Sequence, residues 1–167
     1  HAGYDKKNGN GEMAIPISQT TAYAFRDAEH AANLFALKEL GPIYTRLNNP
    51  TNDILEQRYA QLENGAAALV TASGASAIFY AIANIAEAGD NILISDKLYG
   101  GSVTLFHFTL KRFGISVKTF KSDDATDLES LVDDKTKGIF FESLSNPQIA
   151  IPTIDKIVEI AQKYGII

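Results

Sequence analysis

The chain has 167 residues, of which 46% are apolar, a formal net charge of −5 and no cysteine. This length is enough for one domain with a sizeable core. The negative charge argues against nucleic-acid binding, which relies on Lys and Arg to neutralise phosphates. The lack of cysteine excludes disulfides, thiolate metal sites and a catalytic thiol, and it fits a reducing cytoplasm. The sequence has no run of about 18 apolar residues and no signal-peptide pattern at its start, so we expect no membrane contact.

The first third of the chain is predicted to be an arm followed by two helices. Residues 1–26 are rich in Gly, Thr and Asn, which indicates an extended arm packed on another surface. Asp27 is expected to cap a helix that runs to about Leu40. After a short linker, Thr51 is expected to cap a second helix, which Asn64-Gly65 ends.

From residue 66 onward, short apolar runs alternate with helical stretches. The predicted strands cover residues 67–71, 92–95, 115–120, 138–142 and 166–167. The predicted helices cover residues 75–88, 101–113, 127–133 and 154–164. This alternation predicts an α/β fold with a mostly parallel sheet and flanking helices. Because the chain starts without Met and the last strand only begins at Ile166-Ile167, we expect both ends to be cut.

The loop between the first predicted strand and its helix is a candidate phosphate site. It contains Ser73, Gly74 and Ala75, and small residues let a ligand approach the backbone closely. The helix that follows would direct its free N–H groups and its positive dipole end at a bound anion. Taken alone, however, the loop is also typical of an ordinary helix start with Ser73 as the N-cap, and for the loop by itself that interpretation is favoured.

Three further segments carry polar or aromatic residues beside predicted strand ends or helices. Tyr99 precedes two glycines, which leave room for a flat ring, and Asn146 follows a buried strand that ends at Glu142. In the linker, Arg46 offers a planar guanidinium suited to phosphate and Tyr44 a hydroxyl. Each segment alone also fits a structural turn or a packed side chain. The three histidines show no metal-ligand spacing, so no metal site is predicted.

The order of these segments makes the pattern specific. YTRLNNPT, ASGASA, DKLYGG and FFESLSNP occur in that order, and together they resemble the cystathionine gamma-synthase-like family of pyridoxal-phosphate enzymes over essentially all 167 residues. The arm IPISQTTAYAF and the helix AEHAANLFALKELG resemble the O-acetylhomoserine sulfhydrylase branch of that family. The resemblance implies the aspartate-aminotransferase-like fold. In that fold, residues 1–65 would form an arm and helices that contact a neighbouring subunit, and residues 66–167 would begin the large cofactor-binding domain.

The resemblance also gives each segment a role around pyridoxal 5'-phosphate. Gly74 and Ala75, with Ser73 beside them, would hold the cofactor's phosphate, and Tyr44 and Arg46 would reach the phosphate of a neighbouring subunit. Such sharing implies a dimer or tetramer. Tyr99 would stack on the cofactor ring and assist proton transfer. Asn146 would lie near the ring oxygen or the substrate carboxylate.

Two departures qualify the resemblance. Thr104 stands where several cystathionine-handling relatives have arginine, which argues against cystathionine as substrate. The lysine that binds the cofactor, expected in a Ser-x-Thr-Lys context, and the aspartate that pairs with the ring nitrogen would both lie beyond residue 167. Residues 1–167 alone are therefore expected to be inactive.

The activity implied for the full-length protein is a gamma-replacement in methionine biosynthesis. O-acetylhomoserine and sulfide, or another thiol, would give homocysteine and acetate in the cytoplasm. The alternatives are a cystathionine gamma-synthase or methionine gamma-lyase activity, or a non-catalytic fragment if the chain ends at Ile167. A generic nucleotide-binding domain would require a Gly-x-Gly-x-x-Gly motif, which ASGASA does not supply.

Overall fold

The computed structural model describes residues 3–5, 7 and 11–167. The chain divides into two compact units, His1–Val70 and Thr71–Ile167. The first unit holds the arm and two helices, α1 (Ala28–Phe35) and α2 (Pro50–Leu62). That the first 65 residues contact a neighbouring subunit stays a prediction.

Helix α1 begins as predicted and ends early. The carboxylate of Asp27 accepts the His30 N–H at 2.7 Å, so Asp27 is the N-cap. The predicted extension to Leu40 is wrong, because Leu37 has a φ of 55°, which is outside the helical region. The N–H groups of the next two residues turn back to the carbonyl of Asn33, which closes the helix end.

Helix α2 is capped by Asn49, and the prediction that Thr51 is the cap is wrong. Asn49 Oδ1 accepts the Thr51 N–H at 2.9 Å, and Pro50 occupies the first helical position, where a missing N–H costs nothing. The buried Asn49 side chain also donates to the Ser18 carbonyl at 2.9 Å and to the Thr45 hydroxyl at 3.0 Å. One side chain therefore starts the helix and fixes the arm against the linker.

The second unit is an α/β structure. Its strands are β1 (Asn91–Ser95), β2 (Ser116–Phe120) and β3 (Thr136–Phe140). Its helices are α3 (Gly74–Ile85), α4 (Gly100–Thr104), which continues as a π-helical turn (Leu105–Thr109) and a 3-10 turn (Leu110–Phe113), α5 (Leu128–Leu131) and α6 (Ile154–Tyr164). The strands are parallel in the order β2-β1-β3, which confirms the predicted fold class.

The central strand β1 is buried along its whole length and separates two cores. Ile92 and Ile94 face one core, which α3 and α4 cover, and Leu93 faces the other, which α5 and α6 cover. Adjacent residues of a strand point to opposite faces, so this apolar run predicts helices on both sides. Each such side chain contributes roughly 1.5–3 kcal/mol when fully buried.

The predicted strand over residues 67–71 is wrong: these residues have no regular structure. Leu69 is 74% exposed, and the Val70 N–H donates to the Glu56 carboxylate at 2.9 Å instead of to a neighbouring strand. A strand needs a partner for its backbone hydrogen bonds, and none of the strands within 11–167 lies beside this segment. At the other end of the chain, the Ile167 carbonyl accepts the Ile139 N–H at 2.7 Å, which places Ile167 beside β3, although it is not assigned as a strand.

Several predicted boundaries shift for local reasons. Helix α3 ends at Ile85 rather than at residue 88, because Ala86 is extended and leads toward β1. Helix α5 is shorter than predicted, because Val132 is also extended. Strand β3 ends at Phe140, so Glu142 follows the strand rather than belonging to it.

Asp133 bonds to one residue of each of β1, β2 and β3: the first residue of β1, the first residue of β3 and the middle residue of β2. Its Oδ1 accepts from Asn91 Nδ2 at 2.8 Å and from the Thr136 hydroxyl at 3.2 Å, and its Oδ2 accepts from Lys118 Nζ at 2.6 Å. These bonds, above all the one from Lys118, hold the pKa of the Asp133 carboxyl below its usual value.

Candidate cofactor site

Two loops at the carboxyl edge of the sheet carry Tyr99 and Asn146. β1 leads through a short loop to Tyr99 and helix α4, and β3 leads through Glu142 to Asn146. Ligands of open parallel sheets bind beyond the carboxyl ends of the strands. A ligand site is therefore expected at this edge of the sheet.

The Tyr99 side chain is available for a ligand. It is 55% exposed, and none of the described residues forms a hydrogen bond with its hydroxyl. A Cβ at Gly101 would collide with Cε1 of the Tyr99 ring, whereas a Cβ at Gly100 would meet nothing within 4 Å. The second glycine of the Tyr-Gly-Gly sequence is therefore the one that leaves space for the ring.

The Glu142 carboxylate joins the two loops of this edge. Oε1 accepts the Tyr99 N–H at 2.9 Å and lies 3.4 Å from the Ser102 hydroxyl, and Oε2 accepts the Asn146 N–H at 3.3 Å. The carboxylate thus binds protein donors on both loops.

The loop that carries Asn146 is closed by its own hydrogen bonds. Ser145 is buried, its N–H donates to the Ala150 carbonyl at 3.0 Å, and its hydroxyl accepts the Ala150 N–H at 3.0 Å. The Asn146-Pro147 peptide at the tip is cis. Asn146 is exposed, and within the described part of the chain its side-chain amide forms no hydrogen bond.

The candidate phosphate loop forms the N-terminus of α3. Ser73 is the N-cap: its hydroxyl accepts the Ser76 N–H at 3.1 Å and lies 2.9 Å from the Ser76 hydroxyl. Gly74 and Ala75 take the first two helical positions, whose N–H groups have no partner within the helix. Both residues are exposed, and a Cβ at Gly74 would meet nothing within 4 Å.

Tyr44 and Arg46 lie together in the first unit, in a turn closed by the Asn48 N–H bonding to the Tyr44 carbonyl at 3.0 Å. The Arg46 guanidinium carbon lies 5.3 Å from the centre of the Tyr44 ring, and both side chains are exposed. Among residues 11–167, no carboxylate forms an ion pair with Arg46. Its fork of donors is therefore available to an anion.

The structure thus brings some of the predicted site residues together. Glu142 joins the loops of Tyr99 and Asn146, and Tyr44 lies against Arg46. Ser73, Gly74 and Ala75 form one helix start. Open N–H donors, an exposed aromatic ring and an unpaired guanidinium fit the phosphate and the planar ring of pyridoxal 5'-phosphate. The role of each residue in binding it stays a prediction.

Within the part of the chain that the structure describes, no group of three His, Asp or Glu residues could hold a metal ion. His30 Nδ1 accepts the Arg26 N–H at 3.1 Å and thus has a local packing role. In the same part of the chain, none of the helices combines the length and apolarity that crossing a membrane requires.

Sequence reasoning found the glycine pair after Tyr99, but it missed the hydrogen bonds that Ser102 and Glu142 contribute to this site. Ser102 and Gly101 shape the surroundings of Tyr99, and Glu142 binds backbone N–H groups. The sequence holds a signal for Gly101, because paired glycines after an aromatic residue suggest a crowded ring. It holds none for the bond between Glu142 and Tyr99, which are 43 positions apart.

Comparison with known proteins points to one family. The profile of the Cys/Met metabolism PLP-dependent enzymes matches residues 1–167. The homocysteine synthase of Schizosaccharomyces pombe is 45% identical over 166 residues, which cover 99% of this chain and 39% of that protein.

Two crystal structures share the fold. A structure assigned as an O-acetylhomoserine (thiol)-lyase from Campylobacter jejuni, which contains a pyridoxyl-lysine phosphate, is 50% identical with a TM-score of 0.94. The alignment covers 100% of this chain and 41% of that one. A cystathionine gamma-lyase from Lactobacillus plantarum, complexed with L-serine, is 28% identical with a TM-score of 0.87 over 100% of this chain and 41% of its own.

The chain therefore spans about two fifths of the length of these relatives. Its four motifs, the parallel sheet and the match along its whole length agree. The chain belongs to the family of Cys/Met metabolism PLP-dependent enzymes.

Proposed function

We propose that the whole protein converts O-acetylhomoserine and sulfide to homocysteine and acetate, with pyridoxal 5'-phosphate as cofactor, in methionine biosynthesis. One observation carries this proposal. The chain is 50% identical to the Campylobacter O-acetylhomoserine (thiol)-lyase along its full length, against 28% to the cystathionine gamma-lyase. The homocysteine synthase name of the fission-yeast relative agrees with the same product.

The phosphate of the cofactor would bind at the start of α3. The N–H groups of Gly74 and Ala75 would donate to phosphate oxygens, and the helix dipole would favour the negative charge. The Ser73 hydroxyl caps the helix by accepting the Ser76 N–H, and it would lie beside the same phosphate.

Tyr44 and Arg46 would reach a phosphate bound by a neighbouring copy of the protein. The Arg46 guanidinium is exposed and pairs with no carboxylate of the described residues, which supports this role because a planar fork of donors suits a phosphate. The Tyr44 ring beneath Arg46 limits its freedom before binding. Assembly as a dimer or tetramer with shared sites and a cytoplasmic location belong to this proposal.

Tyr99 and Asn146 would act at the ring of the cofactor and at the substrate, away from the phosphate. The bound cofactor supplies an electron sink that makes the hydrogen on the substrate's α-carbon acidic. The Tyr99 ring would stack on the planar cofactor, and its free hydroxyl would hold or transfer a proton. The Asn146 amide would orient the cofactor's ring oxygen or the substrate's carboxylate. Overall, the bond from the γ-carbon to acetate breaks and a bond from that carbon to sulfur forms.

The main alternative is another reaction of the same family. The cystathionine gamma-lyase neighbour has the same fold, so a lyase or a cystathionine gamma-synthase is compatible with the backbone. Thr104, at the end of α4, stands where several cystathionine-handling relatives have arginine, and this argues against cystathionine. A chain without a cofactor-binding lysine could act only as a binding module.

The test uses the product of the complete reading frame. The purified protein is assayed with the cofactor and O-acetylhomoserine plus sulfide, and separately with cystathionine or methionine. We expect homocysteine and acetate from the first pair and little turnover of the others. Faster turnover of cystathionine or methionine would assign the lyase alternative, and no turnover of any substrate by cofactor-loaded protein would contradict the proposal.

A further inference from the structure

Glu142 connects the two loops that carry Tyr99 and Asn146. Its carboxylate is half-buried, at the point where β3 gives way to the Asn146 loop. Three donors converge on it: the Tyr99 N–H at 2.9 Å, the Ser102 hydroxyl at 3.4 Å and the Asn146 N–H at 3.3 Å. All three belong to segments that carry, or directly adjoin, candidate site residues.

On one side, Glu142 completes the start of α4. Tyr99 is the N-cap of this helix, and its side chain makes no capping hydrogen bond. In a capping box, a glutamate at the third helical position accepts the N–H of the N-cap residue. Here that position holds the buried Ser102, and Glu142 accepts the Tyr99 N–H from another loop. The Tyr99 side chain is thereby freed from capping and can face a ligand.

On the other side, the same carboxylate fixes the tip of the Asn146 loop. Oε2 accepts the Asn146 N–H, and the Asn146 amide is left without a partner among residues 11–167. Each carboxylate oxygen thus serves a different loop. Its two acceptor oxygens let one side chain hold both loops, and hydrogen bonds to a charged acceptor are stronger than neutral ones.

We infer that Glu142 is a positioning residue, which sets the distance and orientation of Tyr99 relative to Asn146 through the backbone N–H groups of both. It touches neither cofactor nor substrate. Its effect on the reaction rests on the proposed function of Tyr99 and Asn146, whereas its coupling of the two loops does not. The two can therefore be measured separately.

The coupling is measured by amide hydrogen exchange on the cofactor-free product of the complete reading frame. Glu142→Ala should raise exchange at the N–H groups of Tyr99 and Asn146 by at least about tenfold, because each loses a bond to a charged acceptor. Exchange within β1, which makes no contact with this carboxylate through its own N–H groups, should not change. Glu159→Gln, at an exposed carboxylate on α6, serves as the control and should alter neither loop.

Glu142→Gln separates the two acceptors with little change of shape. The amide oxygen can accept from one loop, but the NH₂ group cannot accept from the other. Exchange should therefore rise at one of the two N–H groups and stay slow at the other. If Glu142→Ala does not fold, Glu142→Gln still tests whether the carboxylate couples the two loops.

The consequence for the site is measured on the cofactor-loaded protein. Both Glu142 variants should bind the cofactor within about threefold of wild type, since the start of α3 is untouched, and should lose turnover with little change in KM. The visible circular dichroism of the bound cofactor should also change, because it reports the ring's surroundings.

Unchanged exchange at both loops would overturn the inference, as would a rise spread equally over β1, which would make the role merely structural. Wild-type protein that makes no homocysteine, with coupled loops in the exchange experiment, would contradict the proposed function and leave the positioning role standing.

Discussion

The Tyr99 N–H donates to Glu142 Oε1 at 2.9 Å, which ties the start of α4 to the end of β3 across 43 positions of sequence. The aromatic ring that follows this N–H stays 55% exposed at the carboxyl edge of the sheet. The Tyr99 backbone N–H is thus bonded by Glu142, and the Tyr99 side chain is not needed to cap the helix. This division lets Tyr99 be held firmly while its ring remains available for a planar ligand.

Gly101→Ala should displace the Tyr99 ring, because the new Cβ would collide with Cε1. The ring can move at small cost, so we expect the free energy of unfolding to change by less than about 1 kcal/mol. In the cofactor-loaded product of the complete reading frame, turnover should fall about tenfold or more as stacking is lost. Gly100→Ala is the matched control, since its Cβ would meet nothing within 4 Å. Equal turnover in the two variants would show that the Tyr99 ring does not contribute to the site.

Gly74→Pro should remove one phosphate donor and leave α3 intact. Proline is favoured at the first helical position, and Ser73 already has the extended backbone that a residue before proline requires. A lost bond to a charged group costs about 1.5–3 kcal/mol, so the cofactor's Kd should rise roughly tenfold or more. Gly74→Ala keeps the N–H and should bind nearly as wild type. Fluorescence titration of apoprotein gives both values, and equal affinity of the two variants would argue against this donor.

Hybrid assemblies test whether the site is shared. If Arg46 acts on a neighbour's phosphate, Arg46→Ala and Tyr99→Ala subunits mixed together should form assemblies in which one site has both residues. The mixture is unfolded and reassembled so that hybrids can form. Its activity should then exceed the sum of the activities of the two variants measured separately. Mass spectrometry checks that hybrids form. Hybrids with no gain in activity would place Arg46 at the site of its own subunit or away from any site.

Asp133 predicts a pH-dependent contribution to stability. Lys118, Asn91 and the Lys135 N–H lower its pKa in the folded state. Its ionised form therefore stabilises the fold above the ordinary aspartate pKa of about 3.9, and this contribution is lost as the pH falls toward the folded pKa. Asp133→Asn should lower the urea midpoint at about pH 7, and the gap to wild type should narrow at about pH 3.5. Asp134→Asn is the adjacent control, and a gap that does not depend on pH would refute this account.

The elements that the sequence predicts well are those with local signals. Helix α6 matches its predicted bounds, and β1 and β2 fall within one residue of theirs, because apolar runs and glycine stops define them. Residues 67–71 show the limit: they have the composition of a strand, but a strand forms only beside a partner. The start of α2 shows a second limit. Asn49 and Thr51 are both good capping residues, and only the contacts of Asn49 with the arm decide between them.

The candidate site divides in the same way. Ser73, Gly74, Ala75, Tyr99 and Asn146 could be selected from the sequence, because each stands in a short motif at a predicted loop or strand end. The bridge from Glu142 could not, because a hydrogen bond between loops 43 positions apart leaves no local pattern. Gly101 lies between these cases: the paired glycines are visible in the sequence, but which one faces the ring is a property of the fold.

A crystal structure of the complete gene product with pyridoxal 5'-phosphate tests the central claim most directly. The account predicts the phosphate within hydrogen-bonding distance of the Gly74 and Ala75 N–H groups, the cofactor ring against Tyr99, and Glu142 still bound to the Tyr99 and Asn146 backbone. A phosphate bound away from the start of α3, or a ring that does not contact Tyr99, would contradict it.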